Sequence, residues 1–177
     1  MPDADTRVTA LYVYPVKSCA GTALEVAQIG PRGILHDREF LVTDADGSFL
    51  TQRELPRLAQ VRPTVTDDCL AFAAPGMTGL AIVATDLGPR SEVVVWRDTV
   101  TVVDQGAEIA DWLSTFLETR VRLVRMPADT VRRLDLVYAP RPTYQVGFAD
   151  GYPLLLISEE SLDDLNARLE RPLPMNR

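Results

Sequence analysis

The alternation of apolar and polar positions divides the chain into a β-rich first part and a shorter, mixed second part. Residues 8–14 are dense in β-branched and aromatic side chains, and Pro15 closes the run, which predicts a strand. Residues 24–29 and 39–43 predict two more, with Gly30-Pro31-Arg32-Gly33 as the turn between them. Asp44-Ala45-Asp46-Gly47 separates Phe40-Leu41-Val42 from Ser48-Phe49-Leu50-Thr51 and predicts a hairpin. Further short runs follow at 60–65, 69–73, 80–84, 91–96 and 99–103, the last two joined by Arg97-Asp98 as a two-residue connection. Many short strands punctuated at intervals of about 8–12 residues predict a barrel or sandwich.

The period then changes. Ile109, Trp112, Leu113, Phe116 and Leu117 recur at the spacing of one helix face, so residues 106–118 predict an amphipathic helix. Residues 120–126 return to alternation, with Val121, Leu123 and Met126 facing inward. Residues 127–145 show no period and contain Pro140 and Pro142, which reads as a long loop or linker. Pro153-Leu154-Leu155-Leu156-Ile157 predicts a buried strand. Ser158 then caps a helix with Glu159 and Glu160 at its positive end, a buried stripe of Leu162, Leu165 and Leu169, and Pro172 as its stop.

Composition adds exclusions. The chain has 177 residues, 46% hydrophobic and 24% charged, enough for one domain and part of a second. A net charge of −7 argues against nucleic acid or an anionic membrane as a partner. The first residues show no secretory signal, and no apolar run is long enough for a membrane span. Cys19 and Cys69 are the only cysteines, so a reducing cytoplasm is the expected compartment. Lys17 is the only lysine against 17 arginines, and His36 is the only histidine.

Most chemical templates are absent. There is no phosphate-binding P-loop, dinucleotide fingerprint, nucleophile elbow or paired-cysteine zinc motif. Asp44 and Asp46 before Gly47 lack the other ligands of a calcium loop and read as an ordinary turn. His36 beside Asp37 could be an oriented base, but reads more simply as a loop residue with one hydrogen bond. Cys19 after Lys17 reads either as an activated thiol or as a small core residue, and Cys69 reads as core. What remains is a set of cations near strand ends: Lys17 with Ser18, Arg38 after Asp37, Arg53, and Arg57. Two readings of this set stay open. It is a site for a phosphate or carboxylate, or each arginine pairs with a local acid such as Asp37 or Glu54.

These same residues resemble a family. Tyr14-Pro15-Val16-Lys17-Ser18-Cys19-Ala20-Gly21 looks like the signature that opens the MOSC N-terminal β-barrel domain. Residues 33–40 and 51–58 match two further segments of that domain, and residues 148–166 resemble the opening of the MOSC domain itself. The resemblance implies a mainly β (α+β) fold: a β-barrel-like domain with an amphipathic helix over residues 1–126, a linker over 127–147, and over 148–177 a strand–helix unit beginning a truncated MOSC domain. It implies a molybdenum–pterin cofactor (molybdopterin) and an oxidoreductase that reduces N-hydroxylated small molecules, with a ferredoxin-type electron donor. Lys17, Ser18 and Arg38 fall where the family contacts the pterin phosphate. Arg53 and Arg57 either join them or brace the domain. The loop Asp150-Gly151-Tyr152 approaches the cofactor, although relatives can carry hydroxyl residues where this chain has Gly151 and Tyr152. Ser158 is sufficiently explained as a helix cap.

The family pattern continues beyond Arg177, and its molybdenum-ligating cysteine lies there, so the resemblance implies a fragment that is inactive alone. Such a fragment is expected to expose the 154–157 run and the leucine stripe, and to self-associate through them. Two other functions are compatible with the residues. One is a non-enzymatic β-barrel module that binds a small anion or a partner protein. The other is sulfur transfer, since family sulfurases carry a pyridoxal-phosphate domain. Lys17 follows a strand-ending Tyr-Pro-Val and sits in no such domain, which argues against a Schiff base there.

Overall fold

The computed structural model describes residues 7–66, 69–135, 137, 139, 141 and 143–173. The chain forms β1 (Leu11–Val13), β2 (Thr22–Leu24), β3 (Ile29–Gly30), β4 (Gly33–Ile34), β5 (Phe40–Thr43), a 3₁₀ turn at Pro56–Gln60, β6 (Arg62–Thr66), β7 (Cys69–Ala73), β8 (Leu80–Val83), β9 (Arg90–Val95), β10 (Asp98–Asp104), α1 (Ala107–Leu117), β11 (Arg122–Arg125) and α2 (Glu159–Asn166). It is mainly β, as the pattern predicts.

The centre is an antiparallel sheet in the order β5-β11-β10-β9. Its two faces serve two cores. On one face Phe40, Val42 and Leu123 pack against Ile109, Leu113, Phe116 and Leu117 of α1, with Leu58, Val61, Leu70 and Phe72 closing the layer. On the other, Leu41, Val93, Val95, Val100, Val102, Val124 and Met126 meet Phe148, which arrives from far along the chain. Every residue of β5 is therefore buried, and a strand covered on both faces reads as a continuous apolar run. A second sheet, β6-β7-β8, turns Leu70 and Phe72 inward. The amphipathic face of α1 is buried as its period requires.

Several expectations need correction. Residues 24–29 are not one strand: β2 ends at Leu24, and Ile29 pairs with Ile34 across the turn. The run at 60–65 begins as the tail of a 3₁₀ turn, because Pro56 starts a helical turn readily. The hairpin after β5 is reduced to one bridge, Thr43 to Phe49, while Ser48 bridges Val94. The β9–β10 connection is Trp96-Arg97, since Asp98 already pairs with Val95. Residues 153–157 form no strand and are not buried; Leu155 and Leu156 are 78% and 87% exposed. No neighbouring strand among the described residues offers their backbone a ladder. The helix after Ser158 does form, with the Ser158 hydroxyl accepting from Ser161 N. It ends at Asn166, well before Pro172, and its leucines face no core, so Leu165 and Leu169 are exposed.

The aperiodic stretch is not a loose linker throughout. Leu134, Ala139, Val146 and Ala149 form a small core of their own. Pro140 and Pro142 lie outside the described residues.

Candidate functional site

The site is built where three chain segments lie side by side. After β1 the backbone passes Tyr14 and Pro15 and runs along the start of β5. Arg38 N donates to Tyr14 O (2.7 Å), Phe40 N to Pro15 O (3.0 Å) and Lys17 N to Phe40 O (2.9 Å). The third segment joins through Phe148 N, which donates to Arg38 O (2.7 Å). This contact needs a glycine next door: a Cβ on Gly147 would lie 2.7 Å from Arg38 O. The three segments read in the sequence as separate signals are one hydrogen-bonded unit.

Asp37 and Arg38 hold this unit together. Asp37 is buried; its Oδ1 accepts from Tyr14 N (2.8 Å) and its Oδ2 from Arg38 Nη1. The Arg38 guanidinium also lies 4.8 Å from the Tyr14 ring. His36 is not oriented by Asp37; its Nδ1 lies 3.4 Å from Glu39 Oε2.

Lys17 is only 7% exposed. Its Nζ donates to Phe148 O (2.9 Å) and to Asp150 Oδ1 (2.5 Å). Burial, with the nearby charges of Arg132 and Arg38, lowers its pKa from 10.5, opposed by Asp150. Trp96, at the tip of the β9–β10 hairpin, covers the cluster. Its ring lies 5.8 Å from Lys17 Nζ and 5.7 Å from the Arg53 guanidinium, and its Nε1 donates to Asp150 Oδ1 (3.2 Å). Phe49 meets the Trp96 ring edge-on at 5.3 Å. Arg132 enters from the aperiodic stretch. It is buried, donates through Nε to Asp98 (2.7 Å), and holds the carbonyls of Gly147 (2.9 Å) and Ala149 (2.6 Å). Arg132 thus clamps the segment that carries Asp150.

The backbone at this site is unusual. Ser18, Arg38 and Trp96 all have left-handed φ angles, 70°, 48° and 59°. Non-glycine residues enter this region at a cost of roughly 1 kcal/mol each, and such positions concentrate at functional sites. Ser18 is also buried beside Lys17.

The structure therefore brings together Lys17, Ser18, Arg38, Arg53, Asp150 and, on the rim, Gly151. Arg57 is elsewhere: it pairs with Glu118 and lies 4.6 Å from the Phe116 ring, bracing α1. Glu54 does not pair with Arg53 but accepts from Thr51 N and its hydroxyl. Cys19 is fully buried in the core and Cys69 is on β7, so neither stands at the site. Asp44 Oδ1 accepts from Asp46 N and Ser48 N, both at 2.9 Å, which is an ordinary turn. Sequence reasoning missed Trp96 and Arg132. With the turn expected at Arg97-Asp98, Trp96 read as the last residue of a strand; a bulky aromatic in the two-residue turn that does form, where small residues are usual, is a signal that could have found it. Arg132 lies in a stretch without period and gave none.

Among the described residues, four cations (Lys17, Arg38, Arg53, Arg132) meet four carboxylates (Asp37, Glu54, Asp98, Asp150) around this place. In a chain with a net charge of −7, four cations gathered at one place suit a small anion. No group of three or more His, Cys, Asp or Glu among the described residues could hold a metal ion. The fold and site define a β-rich domain with a cationic cradle where its first strand ends.

The sequence profile of the MOSC N-terminal beta barrel domain matches residues 5–120, and the chain belongs to that family. It is 35% identical to mitochondrial amidoxime reducing component 2 of Bos taurus, over 96% of this chain and 53% of that protein. It is 28% identical to the molybdenum cofactor sulfurase of Homo sapiens, over 92% of this chain and 19% of that protein. A solution structure of a Bordetella bronchiseptica protein shares 27% identity, covering 60% of this chain and 92% of that one with a TM-score of 0.46. The chain spans about half the length of the amidoxime reducing components it matches. These relatives are mitochondrial by name, which does not support the cytoplasmic expectation. No helix among the described residues is long and apolar enough to cross a membrane.

Proposed function

We propose that this chain supplies the phosphate-binding part of a molybdenum–pterin oxidoreductase that reduces N-hydroxylated small molecules. The observation that carries the reading is Lys17. The only lysine of the chain is buried, with its charge opposed by two arginines, in an arrangement that makes sense when an anion joins it. The donor chemistry fits a terminal phosphate. Lys17 has three N–H donors, of which Phe148 O and Asp150 occupy two. Arg38 adds a planar donor set held in place by Asp37 and the Tyr14 ring, and Ser18 adds a hydroxyl. When bound, the cofactor would supply the redox chemistry at its metal. The residues of this chain would bind its phosphate and orient it. Neither Cys19 nor Cys69 is placed to ligate the metal.

Electrons would come from a ferredoxin-type donor. Sulfur transfer through pyridoxal phosphate has less support: the Lys17 ammonium is bound to Asp150 and to a carbonyl. A module without catalysis that binds a simple anion would use the same cradle.

The test is molybdenum and pterin content in this sequence extended through a complete MOSC domain, purified from a host that makes the cofactor, with Lys17→Ala beside it. Both should be present at a fixed ratio and both lost in the variant. Absence of both from the native protein, in its longest available form, would leave only the anion-binding module.

A further inference from the structure

We propose that Asp150 is a resident stand-in for the ligand's phosphate, which occupies Lys17 and Trp96 and swings outward when a dianion enters. This inference rests on the reading of the cradle as a phosphate site and concerns how that site selects its ligand. The ion pair is lopsided: the Lys17 side chain is 8% exposed, whereas that of Asp150 is 72% exposed. Lys17 is enclosed on nearly every side and tied to Phe148 O. Asp150 can return to water by rotating its side chain. One carboxylate oxygen, Oδ1, takes both available site donors, Lys17 Nζ and Trp96 Nε1, as an oxygen of a phosphate would.

The backbone around Asp150 suits such a move. The backbone is clamped through Asp150 by Arg132, which holds the carbonyls of Gly147, Ala149 and Asp150, and by the bond from Phe148 N to Arg38 O, so only the Asp150 side chain need move. Beyond it, a Cβ on Gly151 would meet nothing within 4 Å. The Asp150 side chain itself lies mostly in water, so its rotation is open, and Lys17 keeps Phe148 O throughout.

Charge then sets the selectivity. With Asp150 inside, the cradle's four cations are balanced by Asp37, Glu54, Asp98 and Asp150; with Asp150 outside, they exceed the carboxylates by one. A phosphomonoester dianion is drawn to these cations more strongly than a single carboxylate is. A free carboxylate, or the singly charged group of a phosphodiester, brings no more charge than the Asp150 carboxylate already in place, and so competes poorly with it.

The probe is inorganic phosphate at about pH 8, where the dianion predominates, titrated calorimetrically into the native chain, Asp150→Asn, Asp150→Ala and Lys17→Ala. Removing the competing charge should tighten phosphate binding about tenfold in Asp150→Asn, with Asp150→Ala changing in the same direction. Formate, a monoanion, should gain at least as much, narrowing the preference for phosphate. Lys17→Ala should abolish binding. If both Asp150 variants bind phosphate as the native chain does, or more weakly, Asp150 is not displaced and the inference fails while the phosphate site stands. If Lys17→Ala binds phosphate as the native chain does, or no variant binds it, the phosphate-site reading fails as well.

Discussion

Lys17 and Arg132 are both buried cations, yet their surroundings give opposite expectations. Lys17 is paired with a carboxylate that lies mostly in water. Replacing it with methionine removes a poorly solvated charge and leaves Asp150 free to hydrate. The lost bond to Phe148 O is worth about 1 kcal/mol, and relief of ammonium burial offsets it. Lys17→Met should therefore shift stability by no more than about 1 kcal/mol in chemical denaturation, while losing anion binding. Arg132 holds Asp98 and three carbonyls, those of Gly147, Ala149 and Asp150. Arg132→Met should cost about 2–4 kcal/mol, because those carbonyls lose their donor while Asp98, partly exposed, can turn to water. Equal losses from both substitutions would show that Lys17 is structural.

The pH dependence of Lys17 follows from the same burial. Its folded-state pKa lies below 10.5, mainly through desolvation. Between that value and 10.5 the unfolded chain binds more protons at this residue than the folded chain. Its contribution to stability thus rises as pH rises through this window. Urea melts at increasing alkaline pH should show the native chain gaining on Lys17→Met there.

At the scale of elements, what was legible in the sequence depended on how local the cause was. The α1 stripe and the cap at Ser158 are set by neighbours within a turn or two, and both form. The strands β7 to β11 also emerge within a residue or two of their predicted ends, since hairpin partners are close in sequence. The site was partly legible: Lys17, Ser18, Arg38, Arg53 and Asp150 do converge. The family signature pointed to them as separate segments and could not show that Tyr14, Arg38 and Phe148 are bonded to one another. Arg132 was illegible because its partners are carbonyls, which every residue has. The run at 153–157 misled for the converse reason. Its composition suits a buried strand, but burial requires a partner, and composition names none.

At the scale of the whole molecule, the exposed 154–157 run and the leucines of α2 form an apolar strip beside an otherwise acidic protein. We propose that two copies of this chain meet through that strip. Light scattering should show mass rising with concentration, and Leu155→Asp with Leu156→Asp should return it to that of a monomer. A native chain that stays monomeric at high concentration would refute the proposal.

The bonds from Lys17 to Phe148 and Asp150 span 131 and 133 residues of sequence. Contacts of such separation carry the entropy of closing nearly the whole chain, and they form late in folding. The β-hairpins can assemble as they are made, but the cradle does not exist until its final segment has been synthesised and docked. An anion that binds there favours only the finished fold, and its stabilisation of that fold grows with the logarithm of its concentration once that exceeds the dissociation constant. Supply of the ligand would thus act as a checkpoint on maturation, withdrawing chains that have completed their last contact from the pool still exposed to proteolysis.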